Sequence, residues 1–293
     1  MVLLSNRAVR ACQFSFDVSL CQTMKSSNYK EKFGSLNLSK RVWAVSSIHG
    51  ELDCLMELHD ALVSRWRLGD RLIYLGNYLG PGPDIKGVLD ELLSFRINRL
   101  CQEGMIAQDI VFLRGAQEEM WRKLLQIQLA PNPATVFDWM IERGIGGTLE
   151  AYGETEEDVR KYFREGTLAT TKWTSRLRGK IQSNLGHNDL LISLRRAAFT
   201  ENGELLFVHA GVNTSRSIIE QSDSFWWESP HFGEIDKPYA GFKKIIRGFD
   251  AAHGGLVETD HTVTIDGGCG YGGPLKAACF TLDGGIDDQL SIG

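Results

Sequence analysis

Arg71-Leu72-Ile73-Tyr74-Leu75-Gly76-Asn77-Tyr78-Leu79-Gly80-Pro81-Gly82-Pro83-Asp84 is the stretch from which the fold can be read. Residues 71–76 form an apolar run that stops at glycine. Residues 76–83 are dense in glycine and proline, which punctuate the chain. From Asp84 to about Arg99, Ile85, Val88, Leu89, Leu92 and Leu93 recur at helical spacing. The stretch therefore reads as strand, turn, helix.

The same unit repeats on either side. Residues 41–47 are a short apolar run, followed by an amphipathic stretch over 51–66 with Leu52, Leu55, Met56, Leu58, His59 and Leu62 on one face. Residues 109–113 read as a third strand and 117–128 as a third helix. Three such units predict a largely parallel sheet covered by helices, with chemistry gathered at the carboxyl ends of the strands. Residues 131–200 are polar and helical, carry Trp139, Tyr152, Tyr162 and Trp173, and show no convincing strand. They are expected to form an insertion over one end of the sheet. Strand character returns at 204–209, then at 243–247, 262–266 and 275–282, broken by the glycine-rich 267–273. These later strands predict a second sheet packed face to face with the first.

The chain has 293 residues, 43% of them hydrophobic and 24% charged, with a formal charge of −5. That is ordinary globular composition, sufficient for one large α/β domain or two small ones. No apolar stretch is long enough to span a membrane, and the acidic balance without a basic run argues against a nucleic-acid binder. Six scattered cysteines, Cys12, Cys21, Cys54, Cys101, Cys269 and Cys279, form no C-x-x-C pair. They read as reduced thiols of a cytoplasmic protein without structural zinc. Residues 1–40 differ from the rest: six Lys or Arg against two acids. They are read as a basic extension preceding a domain over 41–293, docking through Phe14, Phe16 and Phe33, with a transit peptide as the alternative.

Four turns in order resemble the signature turns of the PPP-type metallophosphoesterases, which include Ser/Thr protein phosphatases and bacterial diadenosine-tetraphosphate hydrolases. The first, G-D-x-H-G in the family, stands here as Ser46-Ser47-Ile48-His49-Gly50; the second, G-D-x-x-D-R-G, as Gly76-Asn77-Tyr78-Leu79-Gly80-Pro81-Gly82. The third, G-N-H-E, is Gly115-Ala116-Gln117-Glu118, and the fourth, a histidine before small residues, is Val208-His209-Ala210-Gly211. A fifth, Gly-His, aligns with Gly248-Phe249, and a phosphate-gripping arginine after a tryptophan aligns with Glu228. The resemblance covers about residues 41–285. It implies the calcineurin-like metallophosphoesterase fold, a four-layer α-β-β-α sandwich with a helical insertion.

It also implies what the site has lost. The family holds two divalent cations with two Asp, one Asn and three His. The corresponding positions here are Ser47, Asn77, Ala116, His49, His209 and Phe249. Neither carboxylate remains, and hard cations need such oxygens. The general acid becomes Gln117, whose amide cannot give a proton to a leaving group. The acid that orients it becomes Gly80 and the phosphate clamp Pro81, while Glu228 would repel a phosphate dianion. The resemblance thus implies a pseudophosphatase with no catalytic residue and no metal, acting as a protein-binding or regulatory module. The alternatives are a divergent phosphoesterase with Mn, Fe or Zn held by some of His49, Asn77, His209, Asp250 and His253, and a nucleotide or phosphate-ligand sensor.

Plainer readings stand beside these. His49 and His209 serve equally as hydrogen-bonded strand-end residues, Asn77 as a turn former that tolerates positive φ, and Asp250 and His253 as members of a solvated loop. Residues 267–273 lack the helix of a P-loop and read as a turn or as a wall of the site. Trp226 and Trp227 are adjacent, so at most one faces a β core. The other would anchor a partner or cover the pocket. The partner and the oligomeric state are not written in the sequence. The insertion 131–200 and the basic extension are the expected partner surfaces.

Overall fold

The computed structural model describes residues 32–227, 229 and 231–293. The expectations attached to Phe14, Phe16 and Glu228 fall outside these residues. Two sheets lie face to face. In the five-stranded sheet the order is β11-β10-β2-β3-β4. Its strands β2 (Arg41–Val45), β3 (Asp70–Tyr74) and β4 (Ile110–Phe112) run parallel, as the three strand–turn–helix units require. In the six-stranded sheet the order is β1-β5-β6-β7-β9-β8. Here β6 (Leu205–Val208), β7 (Lys244–Arg247) and β9 (Thr262–Asp266) are parallel, and β8 (Gly255–Glu258) closes one edge antiparallel to β9.

Strand alternation separates the cores. Val42, Ala44, Ile73, Leu75 and Val111 face Leu205, Phe207, Ile246 and Val263 across the sandwich. Trp43, Val45, Leu72 and Tyr74 face outward, onto α1 (Leu52–Arg65), α2 (Ile85–Leu100) and α3 (Ala116–Leu124). Asp84 caps α2, its Oδ1 accepting the Gly87 N–H at 2.8 Å. On the far side, Phe199, Leu206, Val208 and Ile245 are covered by a loop bearing Ile218, Phe225, Trp226, Phe232 and Tyr239. Within that fourth layer the regular turns are two 3₁₀ segments, Asp223–Phe225 and Phe232–Glu234.

The insertion is helical as expected: α4 (Pro133–Ile141), α5 (Ile145–Ala151), α6 (Glu156–Glu165), α7 (Thr167–Gln182) and α8 (His187–Ser193). It shares the outer core of the five-stranded sheet through Phe137, Leu149, Trp173 and Leu177. Three expectations need correction. Residues 275–282 belong to the first sheet, because β10 (Leu275–Thr281) inserts antiparallel beside β2 and carries β11 (Ile286–Ile292) with it. The last residues of 131–200 do contain a strand, β5 (Ala197–Thr200). Residues 33–36, assigned by composition to the extension, are β1 (Phe33–Leu36), parallel to β5 with Leu36 in the inter-sheet core. Among the described residues no helix is long and apolar enough to cross a membrane.

Candidate functional site

The turns after β2, β3 and β4 meet those after β6 and β7 at one end of the sandwich. One backbone hydrogen bond ties the two sheets there, and two more join the turns after β6 and β7. The Ser47 N–H donates to Gly248 O at 3.1 Å, and the Gly248 and Phe249 N–H groups both donate to His209 O at 3.0 Å. His49 and Asn77 have φ of 54° and 56°, a left-handed geometry that Asn adopts readily and His less so. The two turns interlock so closely that a Cβ on Gly115 would lie 2.3 Å from the Asn77 nitrogen.

Glu118 holds this interlock. Its buried carboxylate accepts four backbone N–H groups: Asn77 at 2.9 Å, Tyr78 at 2.8 Å, Leu79 at 3.0 Å and Gly115 at 2.8 Å. Burial raises its pKa, while those donors pull the other way. This role of Glu118, the last residue of the Gly115–Glu118 turn, is not among the functions expected from the sequence. The buried acid just past a glycine turn was the available signal.

Around that frame stand the six positions of the expected metal pocket. Asn77 Oδ1 accepts the Gln117 N–H at 3.0 Å, which identifies Nδ2 as the amide donor. Nδ2 lies 3.3 Å from both Ser47 Oγ and His49 Nε2, and Ser47 Oγ donates to Gly248 O at 3.2 Å. His49 Nε2 is therefore an acceptor, and the ring proton sits on Nδ1. His209 donates from Nδ1 to Leu75 O at 2.7 Å, leaving its Nε2 buried without a partner. Phe249 stacks on His209 at 5.4 Å and meets His49 edge-on at 6.4 Å. Ala116 offers no donor atom. Burial, and after it the neighbouring His209 and His253, lower the pKa of His49 to about 3. Burial alone lowers His209 to about 4. Both imidazoles are neutral at physiological pH.

These groups do not fit a pair of divalent cations. Both ends of the Asn77 amide are engaged, and the His49 nitrogen that faces it is hydrogen-bonded. No carboxylate stands at any of the six positions. Of the six, His209 keeps an unshared lone pair on Nε2, and His49 Nδ1 is buried without a partner. Among the described residues no three His, Cys, Asp or Glu side chains are grouped to hold a metal. Asp250 and His253 are committed elsewhere. Asp250 pairs with Arg247 at 2.9 Å, and His253 Nδ1 lies 2.9 Å from Asp266 Oδ2 while its ring stacks on Tyr271. Buried Asp266, which also accepts the Asp250 and Gly268 N–H groups, was not singled out in the sequence.

The groups expected to handle phosphate are equally diverted. Gln117 Nε2 donates to Arg143 O at 2.6 Å, and its Oε1 is buried without a partner. Gly80 donates its N–H to Thr148 Oγ1 of α5 at 3.2 Å. The insertion presses on this turn so closely that a Cβ on Gly147 would sit 2.6 Å from Gly80 O. Pro81 is exposed. Residues 267–273 do wall the site: Gly270 has φ +83°, and a Cβ there would meet His49 Cβ at 2.4 Å. The two tryptophans divide as alternation demanded. Trp226 is buried beneath the Arg114 and Arg196 guanidiniums. Trp227 meets Trp139 of the insertion edge-on at 5.3 Å.

No family model matches the chain, and no curated protein matches it. Solved structures do. One, a candidate diadenosine tetraphosphatase, is 20% identical with a TM-score of 0.53, covering 89% of this chain and 98% of its own. Another, a mutant cold-active protein tyrosine phosphatase, is 14% identical with a TM-score of 0.51, covering 92% of this chain and 85% of its own. At such identities the likeness is one of fold. With two facing sheets, outer helices and interlocked strand-end turns, the chain has the calcineurin-like metallophosphoesterase fold.

Proposed function

We infer that the chain is a pseudophosphatase: a PPP-type relative whose site has lost catalysis and whose scaffold serves as a protein-binding or regulatory module of the cytoplasm. One observation carries this reading. The Asn77 amide spends both its ends in a neutral network with Gln117, Ser47 and His49, at the position where a bridging carboxylate would join two cations. A site that works by clamping phosphate between metals needs that charge. Gln117 adds a second, independent block, since no titratable group replaces it. The neutral imidazoles also weigh against the sensor of phosphate ligands. The bare His209 Nε2 is the one feature that favours the divergent, single-metal phosphoesterase.

Metal analysis of the purified protein, with p-nitrophenyl phosphate and phosphopeptide assays in added Mn²⁺, separates the readings. The parent is expected to carry no stoichiometric metal and to show no turnover. A Ser47→Asp, Asn77→Asp, Ala116→Asn, Gln117→His, Phe249→His variant is expected to gain metal. Turnover by the metal-loaded parent would overturn the proposal. The protein-binding role is tested by co-purification of one partner at fixed ratio, with residues 1–31 of the basic extension deleted and exposed side chains of the insertion substituted, since β1 and β5 belong to the six-stranded sheet.

A further inference from the structure

Arg143, whose carbonyl accepts Gln117 Nε2 beside the strand-end site, also heads a row of cations and tryptophans that the site does not use. Its guanidinium covers the Trp139 ring at 4.3 Å, Trp139 meets Trp227 edge-on, and Lys123 Nζ lies 5.7 Å from the Trp227 ring centre. On α3 the buried Glu119 carboxylate then accepts Arg122 Nε at 3.0 Å, Arg122 Nη2 at 2.6 Å and Arg114 Nη1 at 3.3 Å. Lys123 Nζ stands 3.9 Å from the same carboxylate. Three cations thus share one acid. The row is continuous from the end of α4, across the fourth layer, to α3.

It is also open to solvent. The Arg122, Lys123 and Arg143 side chains are 48%, 43% and 46% exposed, and Trp139 and Trp227 are half-buried. Arg143 has Glu142 at 3.9 Å, an exposed pair of the kind that contributes little. Asp138, beside Trp139 in the chain, is matched by Arg160. Arg114, Arg122, Lys123 and Arg143 therefore face Glu119 and Glu142. Counting Glu228, which follows Trp227 in the sequence, still leaves the cations in excess, in a chain whose formal charge is −5. Tryptophan and arginine are the residues on which binding energy concentrates in protein interfaces. Carboxylates match the guanidinium fork, and the acidic balance of the chain as a whole argues against a nucleic acid.

We propose that the row Arg122, Lys123, Trp227, Trp139 and Arg143 is the docking surface for an acidic segment of a protein partner. Its carboxylates meet the three exposed cations, and an apolar side chain lies against the two tryptophans. The proposal rests on the protein-binding reading and names the partner chemistry. The test is fluorescence anisotropy of the full-length protein with a labelled peptide of glutamate and leucine, its glutamine–leucine and lysine–leucine counterparts, and a labelled thymidine oligonucleotide. The acidic peptide should bind about ten or more times tighter than its glutamine counterpart, and more weakly as salt rises. Arg143→Glu and Lys123→Glu should each weaken it about fivefold or more, and Lys123→Glu decides the matter if Arg143→Glu fails to fold. Lys172→Glu, the same charge change at an exposed position of α7, should leave binding unchanged. No binding of the acidic peptide, tighter binding of the oligonucleotide, or an equal loss in Lys172→Glu would overturn the proposal. Those results would strike this surface alone, whereas metal-dependent turnover would strike the reading beneath it and leave the titrations unaltered.

Discussion

Replacing Asn77 by aspartate changes one atom type and reverses the electrostatics of the strand-end network. In the native chain Nδ2 donates toward Ser47 Oγ and His49 Nε2, at 3.3 Å each. A carboxylate keeps only the acceptance from the Gln117 N–H. Two donations vanish, at roughly 1 kcal/mol each, and two acceptors then face a third. Residue 77 is 1% exposed, so the new charge also has a desolvation cost of roughly 2 kcal/mol or more. The sum is about 4 kcal/mol, or a fall in Tm of roughly 8 °C or more for a domain of this size. Burial raises the pKa of the new acid, so the folded state binds its proton more tightly than the unfolded one. The loss is therefore full at pH 7.5 and shrinks as pH falls toward 5. Calorimetric melts of parent and Asn77→Asp at both pH values, with and without Mn²⁺, measure it. If the variant melts within 1 °C of the parent at pH 7.5, the neutral network does not stabilise the site as argued.

Further expectations concern the same end of the sandwich. Gly270→Ala places a Cβ against His49 at a left-handed φ and should cost about 2 kcal/mol, read as a lowered Tm. His49 and His209 have pKa values of about 3 and about 4 in the folded state, below the ordinary histidine value. The stability they confer is complete above pH 6.5 and falls as pH drops toward 4, by roughly 1.4 kcal/mol per pH unit for each ring. Urea titrations across that window should show the slope, and His209→Asn should flatten it. Trp227→Ala removes the edge-on contact with Trp139. It should speed hydrogen exchange in α4 severalfold, a loss of about 1 kcal/mol.

The parallel half of the five-stranded sheet was legible because each strand, turn and helix is local. Apolar runs end in glycine, and Asp84 announces its helix. What escaped was non-local or weakly patterned. β10 joins the first sheet by pairing with β2, more than two hundred residues away, which no local period reveals. Phe33-Gly-Ser-Leu36 and Ala197-Ala-Phe-Thr200 are four-residue strands with few β-branched residues, stabilised by each other. β8 is largely exposed on its outer edge. At the site, side-chain identities alone show that Ser47, Asn77, Ala116 and Gln117 bring no carboxylate and no titratable proton. The partners that replaced them were hidden, since Gln117 reaches a carbonyl of the insertion and Asp266 gathers His253 and the Asp250 amide.

Glu118 gathers amide protons from two turns nearly forty residues apart in the chain. None of the four can open to solvent alone without leaving the others' shared acceptor partly unmatched. Residues 77–79 and 115 thus form one opening unit, and a single proton delivered to that acid would loosen both loops at a stroke.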